Sequence, residues 1–213
     1  MDRPRNSTQR NRAILVAGLG LSALAIVFVD RPASSWSHAH LRGIAFFDAL
    51  THIIDPLRWG AILGLIVAGL AAACGGWRPG EKGMTLIAAC LAIIVSYEIK
   101  EGLKYACGRT WPETWVANNP SWIGNGSFGF HPFHGREGWF SFPSGHMTQI
   151  TALVTVLWHR IRPLRWVWAT LALLVAIGLF GSDYHFVGDM VAGTFLGAAC
   201  AKGVLALLFR ARE

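Results

Sequence analysis

Six stretches of predominantly apolar residues, at about 13–29, 59–73, 84–103, 147–158, 164–180 and 190–209, constrain this chain more than any other feature. A hydrocarbon core is crossed by about 20 apolar residues in helical conformation. Inside lipid every backbone N–H and C=O must be paired within the segment, which selects the α-helix. The second and fourth stretches are short by this measure and reach the required length only when their flanking Gly, Ser and Trp residues enter the interface. The expected fold is therefore all-α: a polytopic membrane bundle of six transmembrane helices, forming one membrane-embedded domain over residues 1–213. Glycines inside the spans, at Gly18, Gly20, Gly60, Gly64, Gly193 and Gly197, allow helices to approach closely. Composition agrees, with 53% hydrophobic and 15% charged residues, against roughly a quarter charged in soluble domains.

The formal net charge of +7 could suit nucleic acid or an anionic membrane surface. The basic residues cluster beside the apolar stretches, which favours the bilayer and excludes nucleic acid as a partner. Arg3, Arg5, Arg10 and Arg12 precede the first span, Arg78 and Lys82 follow the second, Arg160, Arg162 and Arg165 follow the fourth, and Arg210 and Arg212 follow the sixth. With six spans these segments share one side, which the positive-inside rule makes the cytoplasm. Residues 1–12 are then a cytoplasmic tail, and 31–57, 105–143 and 182–188 face outward. Ala23-Leu24-Ala25 has the small-x-small form of a signal cleavage site, but the apolar run continues to Val29, so a retained anchor is expected. Short cytoplasmic loops without sorting signals fit a bacterial inner membrane, multi-pass, with the outer loops in the periplasm.

The stretch Ser34 to His40 reads as the start of an outer loop with exposed histidines, followed by an amphipathic interfacial helix carrying Ile44, Phe46, Phe47, Leu50, Ile53 and Ile54. The second outer segment, 105–143, is rich in aromatics, with Trp111, Trp115, Trp122, Trp139, Phe128, Phe130, Phe133 and Phe140. That density suits a membrane interface and a lid over a lipid. His131 and His134 lie within it and read as aromatic packing rather than metal ligands, since no further donors complete a site. The cysteines Cys74, Cys90, Cys107 and Cys200 lack a C-x-x-C spacing, so neither a disulfide nor a metal is expected.

Three outer segments carry chemistry. Lys104 and Arg109, at the end of the third span, are two cations that suit a phosphate. Phe142-Pro143-Ser144-Gly145-His146 enters the fourth span. Its serine suits an N-cap, and the helix start that it caps is a ready anion site with a histidine on the first turn. His185 and Asp189 at the join of the last two spans are four apart and share a helix face, so the carboxylate can fix the imidazole tautomer and free the other nitrogen as nucleophile. Glu98, Lys100 and Glu101 near the end of span three read as an internal ion-pair network or a substrate-proximal group.

These segments resemble, in order and spacing, the three motifs of the type 2 phosphatidic acid phosphatase family, which is similar to the vanadium haloperoxidases: Lys-x6-Arg-Pro, Pro-Ser-Gly-His and Ser-Arg-x5-His-x3-Asp. The resemblance covers the chain from the third span onward. It implies that Lys104, Ser144 and the Gly145 amide bind phosphate oxygens, that His146 protonates the leaving oxygen, that His185 becomes phosphohistidine, and that Asp189 orients it. Two positions depart from the pattern: Trp111 stands where the family has arginine, and Gly178-Leu179 replace Ser-Arg. Each lost charge-assisted donor removes about 2–4 kcal/mol of transition-state stabilisation unless something compensates, and Arg109 is the nearest substitute, with Arg136 a weaker one.

The implied activity is hydrolysis of a lipid phosphomonoester or pyrophosphate on the outer face, with no cofactor and no metal. The same intermediate would also serve a lipid phosphotransferase, and a non-catalytic lipid-phosphate binding or transport protein is the reading from another class. Polyprenyl pyrophosphate, phosphatidic acid, phosphatidylglycerol phosphate and lipid A phosphate are the candidate substrates, and the sequence leaves the number of subunits open.

Overall fold

The structure is a computed structural model that describes residues 14, 16–115 and 118–209. The basic clusters at 3–12 and 210–212 lie outside the described residues, as does the start of the first expected span. Six main helices form the bundle: α1 (Val16–His40), α2 (Ala45–Gly75), α3 (Glu81–Cys107), α4 (Gly145–Arg160), α5 (Arg165–Gly181, entered through the 3-10 turn Arg162–Leu164) and α6 (Val187–Phe209).

Five of them are long and apolar enough to cross a membrane, counting α5 from Arg162. The six crossings expected from sequence thus reduce to five helices that qualify, and α4 is the exception. Its 16 residues span about 24 Å at 1.5 Å per residue, short of a hydrocarbon core of about 30 Å. Its environment explains why a short, partly polar helix is stable here. α4 packs against α3, α5 and α6, and Thr148, Gln149 and Thr151 are buried with their side chains bonded to carbonyls one turn back in the helix.

Glycines set the close packing around α4. It runs parallel to α6, with Gly193 against the Ser144 carbonyl and Gly197 against that of Thr148. A Cβ at either glycine would lie 2.5 or 2.1 Å from those oxygens. α3 runs antiparallel to α4: Lys100 lies against Gly145 at one end, and Arg160 donates from Nε to Thr85 Oγ1 at 3.3 Å at the other. An alanine-rich seam of Ala88, Ala89, Ala92, Ala152, Val156, Ala201 and Val204 joins α3, α4 and α6. A second cluster, including Met147, Ile150, Val154, Val175, Leu179 and Met190, joins α4, α5 and α6. By contrast Trp59, Leu63, Ile66, Val67 and Leu70 on α2 are exposed, as suits a lipid-facing helix.

Two outer segments differ from the sequence reading. The helix of the first span does not stop near Val29: after a π-helical turn at Ala25–Val29 it continues through Asp30–His40. Asp30, Ser34 and Ser37 are spaced i, i+4, i+7 and form one buried face. Ser34 Oγ donates to Asp183 Oδ2 at 3.2 Å, and Ser37 Oγ to the Phe180 carbonyl at 2.5 Å. Their hydrogen bonds to the end of α5 and to the α5–α6 connection hold as helix what the polar composition suggested was a loop. The amphipathic segment is helical as expected over Ala45–Thr51, but it leads through the turn His52–Ile54 directly into Asp55–Gly75. Its Phe47 and Leu50 fill the space over Gly178 and Gly181 of α5.

α3 ends at Gly108, whose φ of +57° is left-handed and favours glycine. The His131 carbonyl lies so close that a Cβ at Gly108 would fall 1.8 Å from it. The aromatic segment folds back over the end of the bundle by isolated bridges pairing Arg109 with Phe130 and Phe140, and Trp111 with Ser121.

Candidate active site

The three chemical segments meet at the end of the bundle where α3 finishes and α4 and α6 begin. Ser144 caps α4, accepting from the Met147 amide at 3.4 Å, and its own N–H donates to the Asp189 carbonyl at 3.0 Å. The second and third motifs are thereby tied through the backbone. His185 sits in the short connection between α5 and α6, 3% exposed. Its Nδ1 lies 3.6 Å from Asp189 Oδ2 and 3.5 Å from Ser141 Oγ. Asp189 is held on all sides: Ser141 Oγ donates to Oδ2 at 2.6 Å, the Phe186 amide donates to the same oxygen at 3.2 Å, and Arg109 Nη1 donates to Oδ1. With Nδ1 turned to this carboxylate, Nε2 is the nitrogen left for chemistry.

The His146 ring, half-buried on the first turn of α4, lies 6.0 Å from the His185 ring, centroid to centroid, and 5.2 Å from Tyr184. Trp111 stacks on His185 at 5.1 Å and 30° and is anchored by its Nε1–H to the Glu137 carbonyl at 3.0 Å. Lys104 Nζ also lies over that indole, 5.6 Å from the ring centroid. Burial is the main influence on His185 and pushes its pKa below the ordinary imidazole value, while Asp189 pulls it upward and Lys104 and Lys100 push it down. The neutral imidazole, the form that can attack an electrophile, is favoured.

Arg109 is placed differently from the other site residues. It is fully buried, with Nη1 on Asp189 and Nη2 on Asp30 Oδ2 at 2.6 Å. Asp30 also accepts from the Gly188 amide at 2.7 Å. The guanidinium is walled by Phe128, Phe130 and Phe186, each ring centroid within 5.2 Å. The structure therefore brings His146, His185, Asp189, Lys104, Ser144 and Gly145 together, and places Arg109 behind Asp189.

Two residues that the sequence reading did not assign to this site, Asp30 and Ser141, contact its residues. Lys100, read from sequence as part of an ion-pair network or a substrate-proximal group, lies against Gly145 and pairs with Glu101. Asp30 had a signal, since an acid closing an apolar stretch is rarely left there without a partner. Farther out, His131 and His134 pack on Trp139 with centroids 4.2 and 4.3 Å away, as read from sequence. His38, Glu113 and Asp183 place their donor atoms within 4.8 Å of one another. In that cluster His38 Nδ1 and Arg42 Nε lie 2.8 and 3.5 Å from the same Glu113 oxygen, so side chains of the protein itself already face the carboxylate. Asp183 is pushed up to about 7, chiefly by burial, with the Ser34 hydrogen bond opposing and Glu113 adding to the rise.

The PAP2 superfamily is matched over residues 85–213, from the first turns of α3 to the end of the chain. The chain belongs to the PAP2 superfamily. No curated protein and no solved structure matches it. PAP2 membership suggests lipid phosphate phosphatase-type activity, and PAP2 proteins are typically metal-independent phosphatases. Together with five candidate membrane helices, it points to a multi-pass membrane protein and a lipid phosphate in the bilayer.

Proposed function

We propose that the chain hydrolyses a lipid phosphomonoester or diphosphate through a phosphohistidine at His185, with the site on the outer face of a bacterial inner membrane. The observation that carries the reading is the buried His185–Asp189 pair set beside His146 and the start of α4, with Lys104 unpaired among the described residues. In the first step His185 Nε2 attacks phosphorus as the bond to the leaving oxygen breaks, and His146 gives that oxygen a proton. The equatorial oxygens, where stabilisation matters most in phosphoryl transfer, face Lys104 and the amides at the start of α4. In the second step His146 takes a proton from water, the water oxygen bonds to phosphorus, and the P–N bond breaks to release phosphate and neutral His185.

Arg109, with both its terminal nitrogens on aspartates, acts in this reading through Asp189: it keeps that carboxylate charged and in place to hold His185, and does not touch phosphate. α4 crosses the bundle as the sixth transmembrane helix, shielded from lipid by α3, α5 and α6. The aromatic segment covers the entrance and offers Trp and Phe faces to acyl or prenyl chains. Interception of the phosphohistidine by a lipid or sugar hydroxyl would make the same site a phosphotransferase.

Phosphate release by the purified protein from a panel of lipid phosphates and diphosphates, without added metal, tests the proposal. Release that is lost in both His185→Ala and His146→Ala is expected; full activity of either variant overturns the mechanism.

A further inference from the structure

We propose that Lys100 is the second cation of the phosphate cradle, supplying charge that the family pattern draws from arginines at the positions of Trp111 and Leu179. The inference rests on reading the His185 pocket as a phosphate site. Lys100 lies one helical turn before Lys104 on α3, so both amines leave the same face. They are 5% and 9% exposed respectively. The antiparallel packing of α3 on α4 sets the Lys100 side chain against Gly145: a Cβ there would lie 3.2 Å from Cε and 3.3 Å from Nζ. Gly145 thus provides the gap through which a buried ammonium reaches the start of α4. The amides of Gly145 and His146 have no hydrogen-bond acceptor among the described residues. An anion at these amides would lie next to Lys100 and one turn along α3 from Lys104.

In the free protein Lys100 Nζ pairs with Glu101 Oε1 and sits 4.0 Å from the centroid of the Tyr97 ring. That pair does not account for the burial of Lys100, because the Glu101 side chain is itself 37% exposed and could be met by a solvated lysine. A buried amine inside an apolar helix calls for a use. An ammonium has three donors, so one can stay on Glu101 while others meet phosphate oxygens. Lys100 and Lys104 together then present two positive charges to the pocket, without the planar fork of a guanidinium.

The test is direct calorimetric binding of inorganic phosphate to the purified full-length protein, with turnover of a lipid substrate measured in parallel. Lys100→Met is expected to weaken phosphate binding by about 10- to 100-fold, the usual range for losing a hydrogen bond to a charged group, and to lower kcat/KM comparably. Lys100→Arg is expected to stay within a few-fold of wild type. Glu101→Gln, which frees the amine, is expected to tighten phosphate binding. Wild-type phosphate affinity in a folded Lys100→Met protein overturns the inference. Should Lys100→Met fail to fold, Glu101→Gln decides: unchanged or weaker phosphate binding overturns it. A wild-type protein that binds phosphate through Lys100 yet releases none from any lipid overturns the hydrolytic reading instead, so the two failures are told apart.

Discussion

Arg109 and Lys104 leave the same end of α3 five residues apart and end in opposite electrostatic settings. Arg109 faces two buried carboxylates, Asp30 and Asp189, and three phenylalanine rings, with no exposed surface. Lys104 is nearly as buried but makes no ion pair among the described residues, and its amine lies over the indole that stacks on His185. The first cation has already met its counter-charges; the second is short of one. Buried charges are tolerated when paired, so in the proposed mechanism the unpaired ammonium beside His185 is where the incoming phosphate anion would bind. In the proposed mechanism the contrast separates holding Asp189 from holding the substrate. Proximity in sequence conceals it, because both residues lie in one short segment and carry the same charge.

Removing Arg109 should have the largest structural effect. Arg109→Met leaves Asp30 and Asp189 buried without their cation, and breaking such a pair costs about 3–5 kcal/mol. The expected outcome is loss of folded protein, read as yield and thermal unfolding in detergent. A stable Arg109→Met protein that loses only phosphate affinity would invert the comparison. Lys104→Met should do the reverse. Its fold and Tm should stay close to wild type while kcat/KM falls by about 10²- to 10³-fold, as for removal of one donor to transition-state charge. A collapse of the fold in that variant would put Lys104 in the same class as Arg109.

How far each setting could be read in advance follows from how local its cause is. Pro143-Ser144-Gly145-His146 builds its own capped helix start, and His185 and Asp189 lie one turn apart, so both were legible as contiguous patterns. The environment of Arg109 was not, because its partner Asp30 lies on α1 and is brought in by the packing of Gly188 against that helix. Composition also misled at Ser34–His40, where serines and histidines suggested a loop although Asp30, Ser34 and Ser37 repeat with helical spacing. α4 was legible as a helix, but crossing a bilayer is a matter of length and neighbours as well as hydropathy. Lys100 could be placed near the outer end of span three, yet its position beside Gly145 depends on the antiparallel pairing of two helices.

The protonation state of His185 tests the other side of the comparison, the half held by Asp189. Burial lowers its pKa more than Asp189 raises it. The neutral form required for attack therefore persists as pH falls past the ordinary imidazole value of 6.5. The acid limb of kcat/KM assigned to His185 should fall below that value, in a pH–rate profile on the best lipid substrate. Ser141→Ala removes one of the donors to Asp189 and is expected to reduce kcat more than it changes KM, because it loosens the carboxylate and leaves the phosphate cradle alone. An acid limb above 6.5 would mean that Asp189 outweighs burial at His185, and a Ser141→Ala effect confined to KM would mean that the hold on Asp189 does not govern the chemical step.

The smallest effect is expected at Asp183, two residues before His185, where a carboxylate is buried without the dedicated guanidinium that Asp189 has. Its pKa is raised from 3.8 to about 7, so the folded state holds a proton that the unfolded chain releases. Stability contributed by that proton is fully present below about pH 4 and is lost as pH rises through about 7. Arg42 and His38 near Glu113 soften the loss but do not remove it, since burial is the leading cause. Asn at this position keeps an acceptor for Ser34, tolerates the φ of +53°, and has no proton to lose. Asp183→Asn should therefore match the wild-type Tm near pH 4 and exceed it by a few degrees above pH 7, with the gap opening between. A gap that is constant across pH would show that folding leaves the Asp183 pKa near its unfolded value, so that at neutral pH the chain holds an ionised carboxylate two residues before His185 without the arginine that Asp189 has.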